Sequence, residues 1–143
     1  MQTEDVFKFK DQGEIYMNKI CIKDLEEIYG FYFFEEATIG GINWKVRASR
    51  DEKDGVFYMK VEIGCTGKMK EYNGWSVDAN FSIKLVNHLA SDSKDNIYNT
   101  KEPVHFSPEK LSITVDEFMI WEAILDKSNG FMKDNRIAIR AEL

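Results

Sequence analysis

The side chains able to do covalent or metal chemistry in this chain are Cys21, Cys65, His88 and His105. Cys65 with either histidine could form a nucleophile and its base, because a thiol attacks well only when a neighbouring group helps to remove its proton. No strained nucleophile turn and no oxyanion-hole glycine pattern surrounds Cys65, so the sequence predicts no enzyme. The four residues also lack the i,i+4 or C-x-x-C spacing that closes around zinc, and neither a metal nor any other cofactor is expected. Glu35-Glu36 and the acids from Asp51 to Asp54 read as solvated loop charge, since a hydrolytic carboxylate dyad needs two groups positioned in one cleft. Gly64-x-x-Gly67 and Gly74 have no strand-to-helix context and are punctuation, not a phosphate loop. Lys45, Arg47 and Arg50 make a short basic row opposed by Asp51, Glu52 and Asp54, which is a solvated strand face.

Composition narrows the field further. At 143 residues one domain is the default, and 19 basic against 25 acidic side chains give a net charge of −6. A hydrophobic share of 43% with 31% charged residues excludes a disordered chain, and no apolar run approaches the ~20 residues of a membrane span. Basic residues scattered through an acidic chain argue against partners such as nucleic acid or an anionic membrane. Charged residues occupy the first twenty positions where a signal peptide needs its apolar stretch, so the expected location is cytoplasmic or nuclear. Both cysteines are then expected to be reduced core thiols.

Ile and Val together number 22 and aromatic residues 19, whereas Ala and Leu reach only 13; branched and ring side chains suit a pleated surface. In Trp75 to Leu85 six apolar residues alternate without error with five polar ones, the pattern of one half-buried antiparallel strand. The same period of two runs through Ile42 to Ala48, Phe57 to Ile63 and Ile137 to Leu143, with weaker strands at 19–23, 30–34, 97–99 and 104–106. Breakers at Gly40-Gly41, 51–55, 64–74, 90–96 and 128–130 separate them, a spacing typical of a sandwich or barrel. Thr114 and Glu117 form a capping-box pattern, yet 118–120 also fits a buried strand; we read strand as far as Ile120 and a helical turn over 121–127, the one helical region expected.

Four fragments, in order, resemble the MATH domain, also called the meprin and TRAF-C homology domain. They are Gly41-Ile42-Asn43-Trp44-Lys45-Val46; Phe57 to Ile63 followed by Cys65; Ala79-x-Phe81-x-Ile83-x-Leu85-x-Asn87; and Phe118 to Asp126 with Asn129-Gly130-Phe131-Met132 and Asp134. The resemblance implies an all-β fold, an antiparallel β-sandwich of about eight strands over 15–143 with residues 1–14 as an N-terminal extension. It implies a protein-protein interaction module that binds short extended peptide motifs of partner proteins, for instance as the substrate-recognition part of a cullin-type ubiquitin ligase. Any homo-oligomer would form through a domain outside this chain.

The resemblance also implies a groove. Its candidates are Val56 and Tyr58 on one strand, Phe81 on the next, Val104 and His105 further on, and Lys110, Ile113 and Val115 before the closing strand. Peptide-binding relatives place two rings on a Trp-Gly-Phe turn that here falls on Ile113-Thr114-Val115, so both rings are missing and the specificity should differ. Two readings from other classes are a carbohydrate-type sandwich, with Tyr72, Trp75 and Tyr98 stacking on sugar rings, and a structural dimerisation domain. Because the inferred compartment is reducing, thiol counting in denaturant without reductant should return two free thiols per chain. A count near zero, with interchain oxidation excluded on a non-reducing gel, would contradict that compartment.

Overall fold

In a computed structural model that describes residues 5–8, 12–66, 75–89 and 95–143, the chain is mainly β, a sandwich with two short helices. The strands are β1 (Asp5–Lys8), β2 (Glu14–Cys21), β3 (Tyr32–Ile39), β4 (Ile42–Lys53), β5 (Val56–Thr66), β6 (Trp75–Ala79), β7 (Ser82–Leu85), β8 (Asn96–Asn99), β9 (Val104–Phe106), β10 (Ser112–Ile120) and β11 (Arg136–Glu142). One four-stranded sheet runs in the order β10-β5-β4-β3 and the other β2-β11-β7-β8, both antiparallel throughout. These supply the eight strands expected. A third, small sheet of order β1-β6-β9 adds three more strands and includes one parallel pair, β1 with β6.

The alternating segments form strands because each must bury one face. Ile42, Trp44, Val46 and Ala48 of β4 and Met59, Val61, Ile63 and Cys65 of β5 are all buried on one side of their sheet. Phe118 and Ile139 are buried as well. Trp44 is fully enclosed and meets Phe106 of β9 edge to face, with ring centroids 5.5 Å apart at 84°. This contact ties the small sheet to the large one.

Several local readings are corrected. The segment 75–85 is two strands, not one: the chain breaks at Asn80-Phe81 and passes from the small sheet into the β2-β11-β7-β8 sheet. Thr100 holds the step, its Oγ1 accepting from the Phe81 amide (3.0 Å) and its own amide donating to the Phe81 carbonyl (3.1 Å). Alternation survives the break, since Trp75, Val77, Ala79, Phe81, Ile83 and Leu85 are all buried. The acids Glu35, Glu36, Asp51 and Glu52 lie in strands, not loops. The β4–β5 hairpin turns only at Asp54-Gly55, whose φ values of 54° and 82° are those of a type I′ turn matched to strand twist. Gly64 likewise lies within β5, while Gly67, Tyr72, Gly74 and the breaker at 90–94 fall outside the described residues.

Helix is not confined to one place. The strand expected over 19–23 ends at Cys21 and gives way to α1 (Ile22–Glu27), which buries Ile22 and Leu25 three residues apart. A six-residue helix cannot stand alone in water and exists because that pair is buried. The second helix, α2 (Trp121–Leu125), follows directly on β10 as expected, but Thr114 and Glu117 are strand residues and its N-cap, Ile120, makes no side-chain cap. A 3-10 turn, Lys127–Asn129, follows. Asp126 accepts from the amide (3.0 Å) and hydroxyl (2.7 Å) of Ser128, and these bonds hold its carboxyl below the usual range.

Both cysteines are free thiols in different sheets. Cys65 is a core thiol, and burial pushes its pKa up to about 12, so it is protonated and unreactive near neutral pH. Cys21 is only partly buried, at the N-terminus of α1. Trp44→Ala would leave a cavity between its sheet and the small sheet and should cost about 3–5 kcal/mol in urea unfolding. A loss below ~1 kcal/mol would mean that the site collapses freely.

Candidate functional site

Four of the eight groove candidates lie on strands that end their sheets among the described residues, Ile113 and Val115 on β10 and Val104 and His105 on β9. β10 is the outer strand of its sheet, β8 of the opposite sheet and β9 of the small one. Asn96 of β8 donates from Nδ2 to the Phe118 carbonyl of β10 at 2.9 Å, bridging two of these edges. Within β10 the register with β5 shifts between Val115 and Met119, a bulge that interrupts pairing in mid-strand.

Directly opposed residues of an antiparallel pair share a face. Ile113 lies opposite Ile63 and Val115 opposite Val61, so both point to the core side of the sheet. They remain half-buried there, and among the described residues β10 is the last strand of its sheet. Val104 is likewise half-buried against the core. Its partner Ala79 lies two residues before Phe81, at the point where the chain leaves the small sheet. The Phe81 ring is itself buried and lies tilted against Tyr98, 6.4 Å between centroids, making it a floor and not a wall.

His105 and Lys110 are exposed on the rim. The His105 Nδ1 is 2.5 Å from Asp78 Oδ1, and Lys110 closes a tight turn through reciprocal main-chain bonds with Ser107 (3.0 Å each). Val56 and Tyr58 do not join this group. Tyr58 lies opposite Ile120 and Asp51, on the alternate set of β5 residues from Met59 and Val61, and hence on the outer face of the sheet. Val56 follows the same alternation at the hairpin end. The structure therefore puts Ile113 and Val115 on one face of the β10-β5-β4-β3 sheet and Val56 and Tyr58 on the other, while Phe81, Val104, His105 and Lys110 lie outside that sheet.

The sugar-stacking alternative loses its central residue, because Trp75 is buried; Tyr98 is half-buried against the core and Tyr72 lies outside the described residues. Among the described residues no group of three or more His, Cys, Asp or Glu side chains is placed to hold a metal ion, and no helix is long and apolar enough to cross a membrane.

One feature had no signal in the sequence. Under the turn from α1 to β3, at the margin of the β10-β5-β4-β3 sheet, lies a concavity of about 790 Å³, lined by outer-face residues such as Arg47, Asp51 and Lys60 and by Arg50, Glu52 and Phe57 of the alternate, inner set. Behind it lies a cluster assembled from four elements, of which Glu26, Arg50 and Phe57 reach the lining. The Trp121 Nε1 donates to the Glu26 carboxylate (2.9 Å), while the Arg50 guanidinium donates to the Glu26 carbonyl (3.2 Å) and lies 4.0 Å from the Phe57 ring centroid. Glu26 and Trp121 are 95 residues apart, beyond the reach of any periodicity.

A family model for the MATH domain matches residues 22–143, from the first residue of α1 to the end of the chain. No curated protein matches the chain.

The seating of β10 depends on Gly64. A Cβ built there would sit 2.6 Å from the Leu111 carbonyl oxygen and 2.8 Å from Ser112 Cβ, so any side chain must push the start of β10 outward. Gly64→Val should destabilise the domain by more than ~1 kcal/mol through overpacking. It should also speed amide exchange in β10 more than in β11, and equal exchange in both strands would refute a local displacement.

Proposed function

The chain belongs to the MATH-domain family, and from that premise we propose that this protein-interaction module takes a short extended peptide segment at its β10 edge. The observation that supports this reading is the half-buried aliphatic row of Ile113 and Val115 on an outer strand. A strand laid beside β10 would gain main-chain hydrogen bonds along its unpaired side, and alternate side chains would enter the space beside Ile113, Val115 and Val104. Affinity on the micromolar scale, about −8 kcal/mol, suits such a contact.

The lining decides what fits. Aliphatic side chains instead of rings leave shallow, small pockets, so the groove should favour small or β-branched peptide side chains over bulky ones. Lys110 at the entrance favours an acidic or hydroxyl-bearing neighbour in the ligand, weakly because it is exposed. The chain's role in this reading is recognition without catalysis, and the free thiol of Cys65, neutral and enclosed, fits that role. By family analogy the recognised segment belongs to a substrate of a cullin-type ubiquitin ligase in the cytoplasm or nucleus, with oligomerisation through another domain raising a weak contact by effective concentration.

The test uses a peptide selected against the chain from a displayed random library, with binding read by fluorescence anisotropy. Ile113→Ala and Lys110→Glu should each weaken binding, by about tenfold for the first. Because Ile113 packs partly against the core, the urea midpoint is measured alongside. Unchanged binding in both variants, with loss in Tyr58→Ala, would move the site to the outer face.

A further inference from the structure

We propose that the concavity beneath the α1–β3 turn is a second docking site, one that takes a lysine- or arginine-bearing segment of a protein partner. None of its lining residues is among the eight groove candidates. Its apolar lining is left in water: Ile28, Tyr32 and Phe57 are all exposed large side chains, and Tyr29 at the tip of the turn is fully so. Exposed aromatic rings gathered around one hollow mark an interaction surface more than scattered ones do.

Charge decides the partner. Each cation in the hollow already has an internal partner. Arg47 pairs with Glu62 at 2.7 Å and lies 4.6 Å from the Tyr32 ring centroid; Lys60 pairs with Asp51 at 3.5 Å; Arg50 is held by the Glu26 carbonyl and the Phe57 ring. The Glu26 carboxylate is engaged by Trp121. Glu27 and Glu52 are exposed and make no side-chain hydrogen bond or ion pair among the described residues. An acidic segment would have to break existing pairs, whereas a cationic one would meet two free carboxylates.

A lysine or arginine side chain also suits the rest of the hollow, since its apolar stem can lie along Ile28 and Tyr29 while its head reaches a carboxylate. Aromatic faces add attraction for the cation, and the net charge of −6 favours its approach. Nucleic acid would be repelled by the same charge.

The test is amide chemical-shift mapping of the isotope-labelled chain with two capped pentapeptide probes, Gly-Leu-Arg-Leu-Gly and its Glu counterpart. Saturable shifts at Glu27, Tyr29, Tyr32 and Glu52 with the Arg probe alone are expected. The double variant E27K/E52K, altering two exposed side chains, should weaken that binding at least about tenfold, and higher salt should weaken it in the wild type. Ile113→Ala should leave the shifts intact, so failure here and failure of the β10-edge reading are separable. Equal response to the Glu probe, shifts confined to β10, absence of saturable shifts, or indifference to E27K/E52K would each overturn the proposal.

Discussion

Burial of the Trp44 indole is the constraint on which the rest of the structure leans. Its strand supplies one inner row, Ile42, Trp44, Val46 and Ala48, and the ring reaches across to Phe106 in the small sheet. A side chain of that size, fully enclosed, fixes the separation of the layers it touches, because interiors pack at crystal-like density and tolerate few voids. The turn from β9 into β10 starts at Phe106, so the wedge also sets where β10 begins.

Once the layers are spaced, the sandwich must end somewhere, and its ends are where its surfaces become useful. An unpaired outer strand invites further pairing, which proteins limit with charge and bulges. β3 carries Glu35 and Glu36 along its length. β10 carries the irregularity between Val115 and Met119 and an ion pair from Glu117 to Lys53 at 2.9 Å, a bond that raises the lysine pKa. Among the described residues no strand pairs with the other side of β10, and the proposed peptide contact falls on the stretch of Ile113 to Val115. The two proposed surfaces share no residue, the one at β10 being aliphatic and the one under the α1–β3 turn aromatic and acidic.

Sequence alone determined the inner rows. Period-two alternation reports which side of a strand is apolar, and the buried residues from Trp75 to Leu85 follow it even across the break at Asn80-Phe81. It also placed the end of β10 and the start of α2 at Trp121, where the apolar run stops suiting a strand. The family resemblance rested on those same rows.

Only the tertiary structure decided which strand lies beside which and which face of a sheet is the inner one at its margins. Alternation is a local property; the passage of the chain from one sheet to another after Ala79, the parallel pairing of β1 with β6 and the helical turn at Ile22 depend on contacts with distant segments. For the same reason Val56 and Tyr58 looked like companions of Ile113 and Val115 in sequence order. Register with β5 and β4 separates them, since one step along a strand reverses the direction of its side chain. The joining of Glu26, Arg50, Phe57 and Trp121 was beyond reading from sequence, because closing so long a loop becomes favourable only after the core has brought its ends together.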